Sequence, residues 1–379
     1  MKLDGVKVLD LSLFLPGPML TLMMADHGAD VIKVEPAGEG EPSRHIGLST
    51  GGQTVWFRNT HRGKRSVQLD LKSAEGQAAF WSLAREADVL VEAFRPGVVD
   101  RLGVGYEAVR AVNPGIVYCS VSAFGQEGAW RDRPAHDLAV EALAGLVSLN
   151  EGQDGRPAMP GLMAADALAS LTALSAVLMA LYRREKTGRG DYIDVAMLDS
   201  LMAWTPNATG PVFAERRANV PKAERSWGGA AMFNLYECAD GRWIVLGGSE
   251  VKFAANLLDA LGRPDLLDYA RLPPGPGQEP LRAFFRETFA ARPQAEWEAW
   301  FEGRDVCFAP VRTLKEAFDE PAVAARGMIA WDAAGVATVG TPIRFREEPG
   351  RVSPEAPDLD QHRGEGWRQP SPRELSRHD

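Results

Sequence analysis

The sequence predicts an α/β fold in which a large domain with a parallel sheet is followed by a smaller α+β domain. Three observations support this prediction. Short apolar runs alternate with helical segments from Val6 to Ser122, the chain then becomes mainly helical, and a segment rich in proline and charge precedes a hairpin pattern. Strands that alternate with helices are typical of a parallel sheet covered by helices.

The first strand, helix and strand are marked by the residues at both ends of the helix. Val6 to Leu11 and Asp30 to Glu35 are the predicted strands, and Met19 to Ala25 is the helix between them. Pro18 suits the first helical turn because its fixed φ is helical, and Gly28 suits the position after the last turn. This unit predicts that its two strands pair in parallel.

The same alternation continues through the large domain. Each further strand is a short run of β-branched and aliphatic residues, and each helix is a longer segment of mixed polarity. The strands are predicted at Ser66 to Asp70, Ala87 to Glu92, Ile116 to Ser122 and Tyr192 to Val195, and the helices at Glu75 to Ala87, Tyr106 to Val112, Leu138 to Leu149, Leu162 to Arg184 and from Met197.

A second domain is indicated by the change of composition after about residue 205. Prolines and basic residues over 206–225 predict a linker. Two apolar runs around Ala239-Asp-Gly241 predict a hairpin, and three helical segments follow it. We therefore expect a large domain at 1–205, the linker at 206–225, a small domain at 226–315, and a return to the large domain at 316–379.

Composition excludes several classes of protein. The 379 residues carry a formal net charge of −9, so we expect no nucleic-acid partner. No apolar run approaches the roughly 18 residues of a membrane span, and the N-terminus lacks a signal-peptide core, so we expect a cytoplasmic protein without a membrane partner.

Cys119, Cys238 and Cys307 are odd in number and widely spaced, which predicts reduced core thiols. The six histidines lack metal-ligand spacing, and we expect no metal.

Basic residues cluster where the predicted strands end. Arg62 and Lys72 flank one strand, and Arg95 and Arg101 follow another. In an open α/β sheet ligands lie beyond the carboxyl ends of the strands, so these side chains could hold phosphates, although a solvated loop explains them equally well. The first βα turn supplies a single glycine of the three that a dinucleotide fingerprint needs, which argues against a nicotinamide or flavin cofactor.

Other candidate residues are each ambiguous on their own. Gly125 and Gln126 follow a strand, where the glycine could admit a ligand or simply form a turn. Asp166 and Glu250 each precede or open a helix, so either could be a helix-capping acid. His136 could be a neutral-pH base or a structural histidine.

Taken together, these stretches resemble the family III CoA-transferases, also called the CaiB/BaiF family, and the related 2-methylacyl-CoA racemases. The resemblance covers nearly the whole chain. The matching stretches are Leu15-Pro-Gly-Pro18, Gly28 to Glu35, Arg62 to Lys72, Phe94 to Gly97, Asp100 to Gly103, Gly125-Gln126, Asp166, Thr187 to Gly190, Gly247 to Glu250, and Asp305 to Pro310.

The resemblance implies a large Rossmann-like domain, a smaller domain and a homodimer of interlinked chains. It also implies an acyl-CoA substrate, with coenzyme A as part of that substrate and no permanently bound cofactor. Asp166 would act at the thioester, and the CoA phosphates would meet Lys72 and Arg101 by position and Arg62 and Arg65 by charge alone. The chain departs from its relatives at Ala167-Leu168-Ala169, where a pair of glycines is common.

Two activities are compatible with the resemblance. In a transferase the Asp166 carboxylate attacks the thioester and needs no histidine. In a racemase an acid and a base flank the α-carbon, and a histidine at the position of His136 is typical of racemase-like relatives. We therefore expect a 2-methylacyl-CoA racemase with His136 and Asp166 as the acid/base pair, Asp137 orienting the imidazole, and Glu250 matching an acid of the racemase small domain. CoA transfer through Asp166 is the alternative.

Overall fold

The computed structural model describes residues 1–152 and 154–368, which divide into two compact units. The first unit contains residues 1–144, 162–204 and the described residues from Phe318 onward. The second contains residues 145–161, except residue 153, and 205–317.

A six-stranded sheet in which all neighbours are parallel forms the centre of the first unit. In chain order the strands of this unit begin with β1 (Lys7–Asp10), β2 (Asp30–Glu35), β3 (Ser49–Thr50), β4 (Gln53–Thr54), β5 (Arg65–Gln68), β6 (Val89–Glu92), β7 (Val117–Ser122) and β8 (Asp191–Ala196). The spatial order is β5-β2-β1-β6-β7-β8, while β3 and β4 form a separate two-stranded sheet. The direction of winding changes between β1 and β6, which is where such sheets bind ligands.

The interior strands of this sheet are buried on both faces. Every residue of β2 and β7 is buried, including Asp30, Lys33 and Glu35 of β2 and Ser120 and Ser122 of β7. The apolar core includes Leu9, Ile32 and Leu90. The predicted α/β fold class is therefore confirmed.

Eight helices of the first unit precede the second unit or lie between its two segments. They are α1 (Pro16–Asp26), α2 (Val55–His61), α3 (Ala74–Ala84), α4 (Val98–Arg101), α5 (Tyr106–Val112), α6 (Asp137–Leu143), α7 (Ala164–Thr187) and α8 (Met197–Ala203). Helix α1 begins at Pro16, earlier than the predicted Met19, with Pro18 in its first turn as predicted, and Gly28 follows its C-cap with a φ of 108°. Helix α6 is shorter than predicted because Gly145, with a φ of 84°, turns the chain away soon after it ends.

Helix α7 is long and apolar enough to cross a membrane by length and composition, with a mean hydropathy of 1.8 over its most apolar 18 residues. The expectation that no apolar run approaches the length of a membrane span is therefore wrong. Alanines, serines and threonines separate the larger apolar side chains of α7, which makes the run inconspicuous in the sequence. Core helices of soluble proteins have the same properties. Within the first unit α7 packs against α1, α6 and α8, and it buries Ala165, Ala169, Ala173 and Val177 on one face.

The second unit is a small antiparallel sheet packed against helices. Its elements are α9 (Thr209–Ala214), β9 (Phe233–Glu237), β10 (Trp243–Gly247), α10 (Val251–Ala260), α11 (Leu267–Ala270), α12 (Glu279–Phe289), α13 (Gln294–Phe301) and β11 (Phe308–Pro310), and α14 (Leu314–Asp319) begins in this unit. Strands β9 and β10 form the predicted hairpin, and Gly241 has the positive φ, 73°, that its turn requires. Tyr236, Ile244 and Phe285 lie at the centre of its core.

The chain then returns to the first unit through α15 (Pro321–Ala325), β12 (Ile329–Trp331) and β13 (Ala337–Val339). Residues 369–379 of the expected return segment lie outside the described residues. Two segments group differently from the expected boundaries, since 145–161 and the linker 206–225 both belong to the second unit. There Lys222 Nζ donates to the Gly152 carbonyl at 2.9 Å, and both residues line a cavity of about 760 Å³.

Candidate active site

Asp166 lies in the first turn of α7, where two carboxylates of α6 hold the backbone. Asp137 Oδ1 accepts a hydrogen bond from the Asp166 N–H at 3.0 Å, and Glu141 Oε1 accepts one from the Ala164 N–H at 2.8 Å. The first N–H groups of a helix have no partner within the helix, so these acids fill that role. Asp137 and Glu141 are buried and Asp166 is partly buried. Helix α6 thus fixes the turn that carries Asp166.

The environment of Asp166 favours its neutral form. Burial, and then the negative charges of Asp137 and Glu141, raise the pKa of Asp166 to about 7. A carboxyl group with this pKa is present in both protonation states near neutral pH. Its ionised form is poorly solvated and can act as a nucleophile, while its protonated form can act as an acid.

His136 directly precedes α6 and is exposed. Its ring meets the edge of the Phe14 ring, with centroids 6.0 Å apart and an interplanar angle of 85°. Asp137 Oδ1 accepts the Asp166 N–H, and the role of Asp137 in orienting this imidazole stays a prediction. Among the described residues no hydrogen bond of the imidazole is found.

A cavity of about 290 Å³ opens at the carboxyl ends of β5, β2, β1 and β6. It lies beside the point where the winding of the sheet reverses, as expected for a ligand site in this type of fold. Lys72 is exposed and contributes to the lining. The remaining lining residues are mainly apolar: Leu11, Leu13, Val34, Glu35, Pro36, Ala37, Leu69, Asp70, Leu71, Phe94 and Leu102.

Two guanidinium groups converge on the loop after β6. A Cβ placed on Gly97, whose φ is 79°, would lie 3.3 Å from both Arg101 Nη1 and Arg131 Nη2. Arg95 and Arg101 are exposed. Arg131 was not among the residues predicted from the sequence, although it follows β7 and so could have been placed at the same edge of the sheet. Its Nε donates to the Gln126 carbonyl at 2.8 Å.

The basic residues before β5 have a different role from the one predicted. Arg62 is 2% exposed and forms a two-pronged ion pair with Asp26, and Arg65 does the same with Asp30 at 2.6 and 2.9 Å. The prediction that Arg62 binds phosphate is therefore wrong in this structure, since its guanidinium group is buried and paired. Lys72 is the member of that stretch that reaches the cavity.

Gly125 and Gln126 form a tight turn after β7. Gly125 is buried with a φ of 84°, and the Gln126 N–H donates to Asp194 Oδ2 at 2.9 Å. The Gln126 side-chain nitrogen is buried and has no hydrogen-bond partner in the described part of the chain. The glycine is needed for the turn, and the side-chain amide keeps a free donor for a ligand or water.

Glu92, at the end of β6, is a buried acid that sequence reasoning did not single out. Its Oε2 accepts the Phe94 N–H at 2.8 Å, and burial raises its pKa to about 7. Because Phe94 lines the cavity, Glu92 holds part of the cavity wall. Its position as the last residue of a strand beside the reversal point was the signal that could have identified it.

Glu250 and the cysteines complete the sequence-derived candidates. Glu250 is exposed in the second unit and directly precedes α10, as the sequence predicted. Cys119 and Cys238 are buried, whereas Cys307 is exposed, so the prediction of three core thiols is wrong for Cys307. Residues 1–152 and 154–368 contain no group of histidine, cysteine or acidic side chains that could hold a metal ion.

Comparison with known proteins gives the family. The family model described as CoA-transferase family III matches residues 3–363. The chain is 34% identical to the acetyl-CoA:oxalate CoA-transferase of Acetobacter aceti over 94% of this chain and 93% of that protein. It is 33% identical to the succinyl-CoA:mesaconate CoA-transferase of Haloarcula hispanica over 96% and 95% of the two chains.

Solved structures agree with the sequence matches. A CaiB/BaiF family protein from Brucella suis superposes with a TM-score of 0.83 at 29% identity, over 95% of this chain and 97% of that one. A hypothetical protein of Mycobacterium tuberculosis superposes with a TM-score of 0.80 at 29% identity, over the same shares of the two chains. The chain therefore belongs to the CoA-transferase family III, also known as the CaiB/BaiF family.

Proposed function

We propose that this protein transfers coenzyme A from an acyl-CoA to a free carboxylic acid through a covalent intermediate on Asp166. The observation that carries the proposal is the Asp166 carboxyl group, partly buried at the N-terminus of α7 and set there by Asp137 and Glu141. Because the chain belongs to the CoA-transferase family III, we infer that this carboxyl group acts on an acyl-CoA.

The transfer is a series of four acyl exchanges. The ionised Asp166 attacks the thioester carbonyl, and the C–S bond breaks to give a mixed anhydride and CoA thiolate. The thiolate attacks the Asp166 carbonyl of this anhydride, which forms an aspartyl-CoA thioester and releases the first acid as a carboxylate. The acceptor carboxylate attacks this thioester and again expels CoA thiolate. The thiolate then attacks the acceptor carbonyl of the new anhydride, which yields the new acyl-CoA and restores Asp166.

The raised pKa of Asp166 suits this sequence. A poorly solvated carboxylate is a better nucleophile than a fully solvated one. Its poor solvation also favours the second step, in which the CoA thiolate attacks the aspartyl carbonyl of the anhydride. Protonation below a pH of about 7 removes the nucleophile. The transfer requires no general base, so its chemical steps do not use the His136 imidazole.

The racemase expected from His136 has less support. Curated relatives over nearly the whole chain are named CoA-transferases, which favours the alternative reading. The Asp137 carboxylate, which a racemase would use to orient the imidazole, is bonded to Asp166. We therefore favour CoA transfer over racemisation.

The names of the relatives also suggest the acids. They include transferases named for oxalate, D-citramalate and mesaconate, which are all small dicarboxylic acids. We infer that this chain uses an acceptor of that size and charge. Coenzyme A enters as part of the acyl-CoA substrate, with its phosphates near Lys72, Arg95, Arg101 and Arg131 and its chain along the 290 Å³ cavity.

A transfer assay tests the proposal. The purified protein is mixed with succinyl-CoA or acetyl-CoA and a panel of small dicarboxylic acids, and new CoA esters are identified by liquid chromatography and mass spectrometry. We expect a new ester with at least one acid, abolished in Asp166→Asn and still formed, although more slowly, in His136→Gln. Failure to form any new ester, together with α-proton exchange that needs His136, would support the racemase.

We also propose that the protein forms the interlinked homodimer implied by its family. Light scattering coupled to gel filtration is expected to give twice the mass of one chain. A mass of a single chain at micromolar concentration contradicts this assembly.

A further inference from the structure

The loop between β1 and α1, residues 11–15, contains a strained residue at the ligand edge of the sheet. Phe14 has a φ of 63°, a left-handed conformation that bulky L-residues rarely adopt. Leu13 lines the 290 Å³ cavity, while the Phe14 ring meets His136. The loop therefore presents one side chain to the cavity and the next to the turn that precedes α6.

Two buried lysines hold the backbone of this loop and of the first turn of α1 that follows it. Lys33 Nζ donates to the Ser12 carbonyl, and Lys64 Nζ donates to the Pro18 carbonyl at 2.9 Å. Both ammonium groups lie beside the fully buried Asp10, at 3.6 and 3.1 Å. Asp10 also accepts the Ser12 N–H at 2.9 Å. Buried charges are unfavourable unless they are paired, and here the pairs converge on one loop.

Glu41 holds the middle of the loop. Its Oε1 accepts the Phe14 N–H at 2.9 Å, and its Oε2 lies 3.7 Å from Lys33 Nζ. The Glu41 side chain is fully buried. A hydrogen bond to an ionised acceptor is stronger than one between neutral groups, so it can offset the cost of the left-handed conformation. None of these charged groups has a part in the transfer chemistry.

The loop is also tied to the helix that carries Asp166. Ser170 Oγ lies 2.8 Å from the Pro16 carbonyl and 2.8 Å from the Asp166 carbonyl. On the other side, His136 adjoins Asp137, whose carboxylate holds the Asp166 N–H. The chain on one side of Phe14 thus contacts α7 through Ser170, and the Phe14 ring contacts His136, the residue before Asp137. A shift of the loop would therefore move the Phe14 ring and change its contact with His136.

We propose that Glu41 is a positioning residue of the transfer site: by holding Phe14 in its left-handed conformation, it sets the phenyl ring against His136, and the two rings form one wall for the acyl group. The location of the acyl group rests on the proposed function. The placement of the Phe14 ring by Glu41 does not, and it can be measured without substrate.

Nuclear magnetic resonance of histidine-labelled protein tests the placement. The His136 Cε1–H signal, assigned by its loss in His136→Gln, should carry a ring-current shift that disappears in Phe14→Gly. We expect Glu41→Leu to move the signal to its Phe14→Gly position, and Glu41→Gln, which keeps an oxygen acceptor, to leave it at the wild-type position. A folded Glu41→Leu protein with a wild-type His136 signal overturns the proposal.

A matched control comes from Gln278 in the second unit. Its side-chain oxygen also accepts a backbone N–H, that of Ala231 at 2.8 Å, and it is also buried. Gln278→Leu removes the same kind of hydrogen bond and should leave the His136 signal unchanged.

Hydrogen exchange in the wild-type protein gives a test that does not depend on a variant that may unfold. The amides of Leu13 and Leu15 have no hydrogen-bond partner in the described residues, whereas the Phe14 amide bonds to Glu41. We expect the Phe14 amide to exchange at least about tenfold more slowly than its two neighbours. Equal exchange of all three amides overturns the role of Glu41.

Kinetics connect the placement to transfer. Glu41→Leu should lower kcat by about tenfold with little change in KM for the acyl-CoA. The same substitution should add nothing in a Phe14→Gly background, because Glu41 acts through Phe14. Additive losses overturn the proposal. Absence of transfer by the wild-type protein, with the expected His136 signals, overturns the proposed function alone.

Discussion

Asp137 Oδ1 accepts the Asp166 N–H at 3.0 Å, so one buried carboxylate fixes the helical turn that carries a second. The arrangement combines two opposing effects. The hydrogen bond stabilises the N-terminus of α7, while burial, and after it the negative charge of Asp137, raises the pKa of Asp166. Asp137 therefore contributes both to the position of the nucleophile and to its raised pKa.

Asp137→Asn is predicted to extend transfer activity to lower pH. The asparagine oxygen can still accept the Asp166 N–H, but the nearby negative charge is removed, so the pKa of Asp166 falls from about 7. Because the ionised form is the nucleophile, the acidic limb of kcat/KM against pH should move down by on the order of one unit. Asp268→Asn, which changes an exposed acid of the second unit whose ion-pair partner is Arg271, is the control. An unchanged acidic limb would show that Asp166 ionisation does not limit the reaction.

Asp166→Asn is predicted to stabilise the protein at pH 8 while abolishing transfer. The pKa of Asp166 is raised on folding from 3.8 to about 7, so the folded state binds the proton more strongly than the unfolded state. The cost of the buried charge is absent below pH 3.8, grows as the pH rises, and is complete above about 7. Removal of the charge should raise the free energy of unfolding by roughly 2 to 4 kcal/mol at pH 8. Thermal or urea unfolding at pH 4 and pH 8 measures this, and an equal gain at both values would refute it.

Arg101→Ala and Arg131→Ala are each predicted to raise KM for the acyl-CoA by about tenfold with little change in kcat, because each removes one charge-assisted contact to phosphate. Both guanidinium groups lie beside Gly97, at the edge of the sheet where the cavity opens. Arg110→Ala is the matched control, since Arg110 is an exposed arginine of α5 whose ion-pair partner is Glu107. A loss confined to kcat in the two variants would remove them from the CoA site.

Arg62→Ala is predicted to destabilise the fold by about 3 to 5 kcal/mol, since it leaves Asp26 buried without its partner. KM for the acyl-CoA in the remaining folded protein should be unchanged. Denaturant unfolding and initial rates at low temperature measure the two effects. A stable variant with a raised KM would restore the phosphate-binding role that the sequence predicted.

The parallel sheet could be predicted because each strand carries its own local signal. A strand such as β6 is a short apolar run that ends at a polar residue, and the alternation of strands with helices predicts parallel pairing. The rule that ligands lie beyond the carboxyl ends of parallel strands also predicted that Lys72 and Arg101 lie at this edge of the sheet. The position of Asp166 in the first turn of a long helix was also visible, since an acid there complements the helix dipole.

The partners of charged residues could not be predicted, because they depend on contacts distant in the chain. Arg62 and Asp26 are 36 residues apart, and their charges look the same whether they face solvent or each other. Arg131 was missed for the converse reason, since nothing local distinguishes it from a solvated arginine. The bond of Asp137 to the Asp166 N–H, 29 residues away in the chain, likewise has no local signal.

The most direct test of the central claim is mass spectrometry of the protein after incubation with an acyl-CoA in D₂O without an acceptor acid. We predict a CoA adduct on the peptide that contains Asp166, absent in Asp166→Asn, together with an acyl group that retains its α-protons. Deuterium at the α-carbon, lost in His136→Gln and accompanied by no adduct on Asp166, would contradict transfer and identify the protein as a racemase.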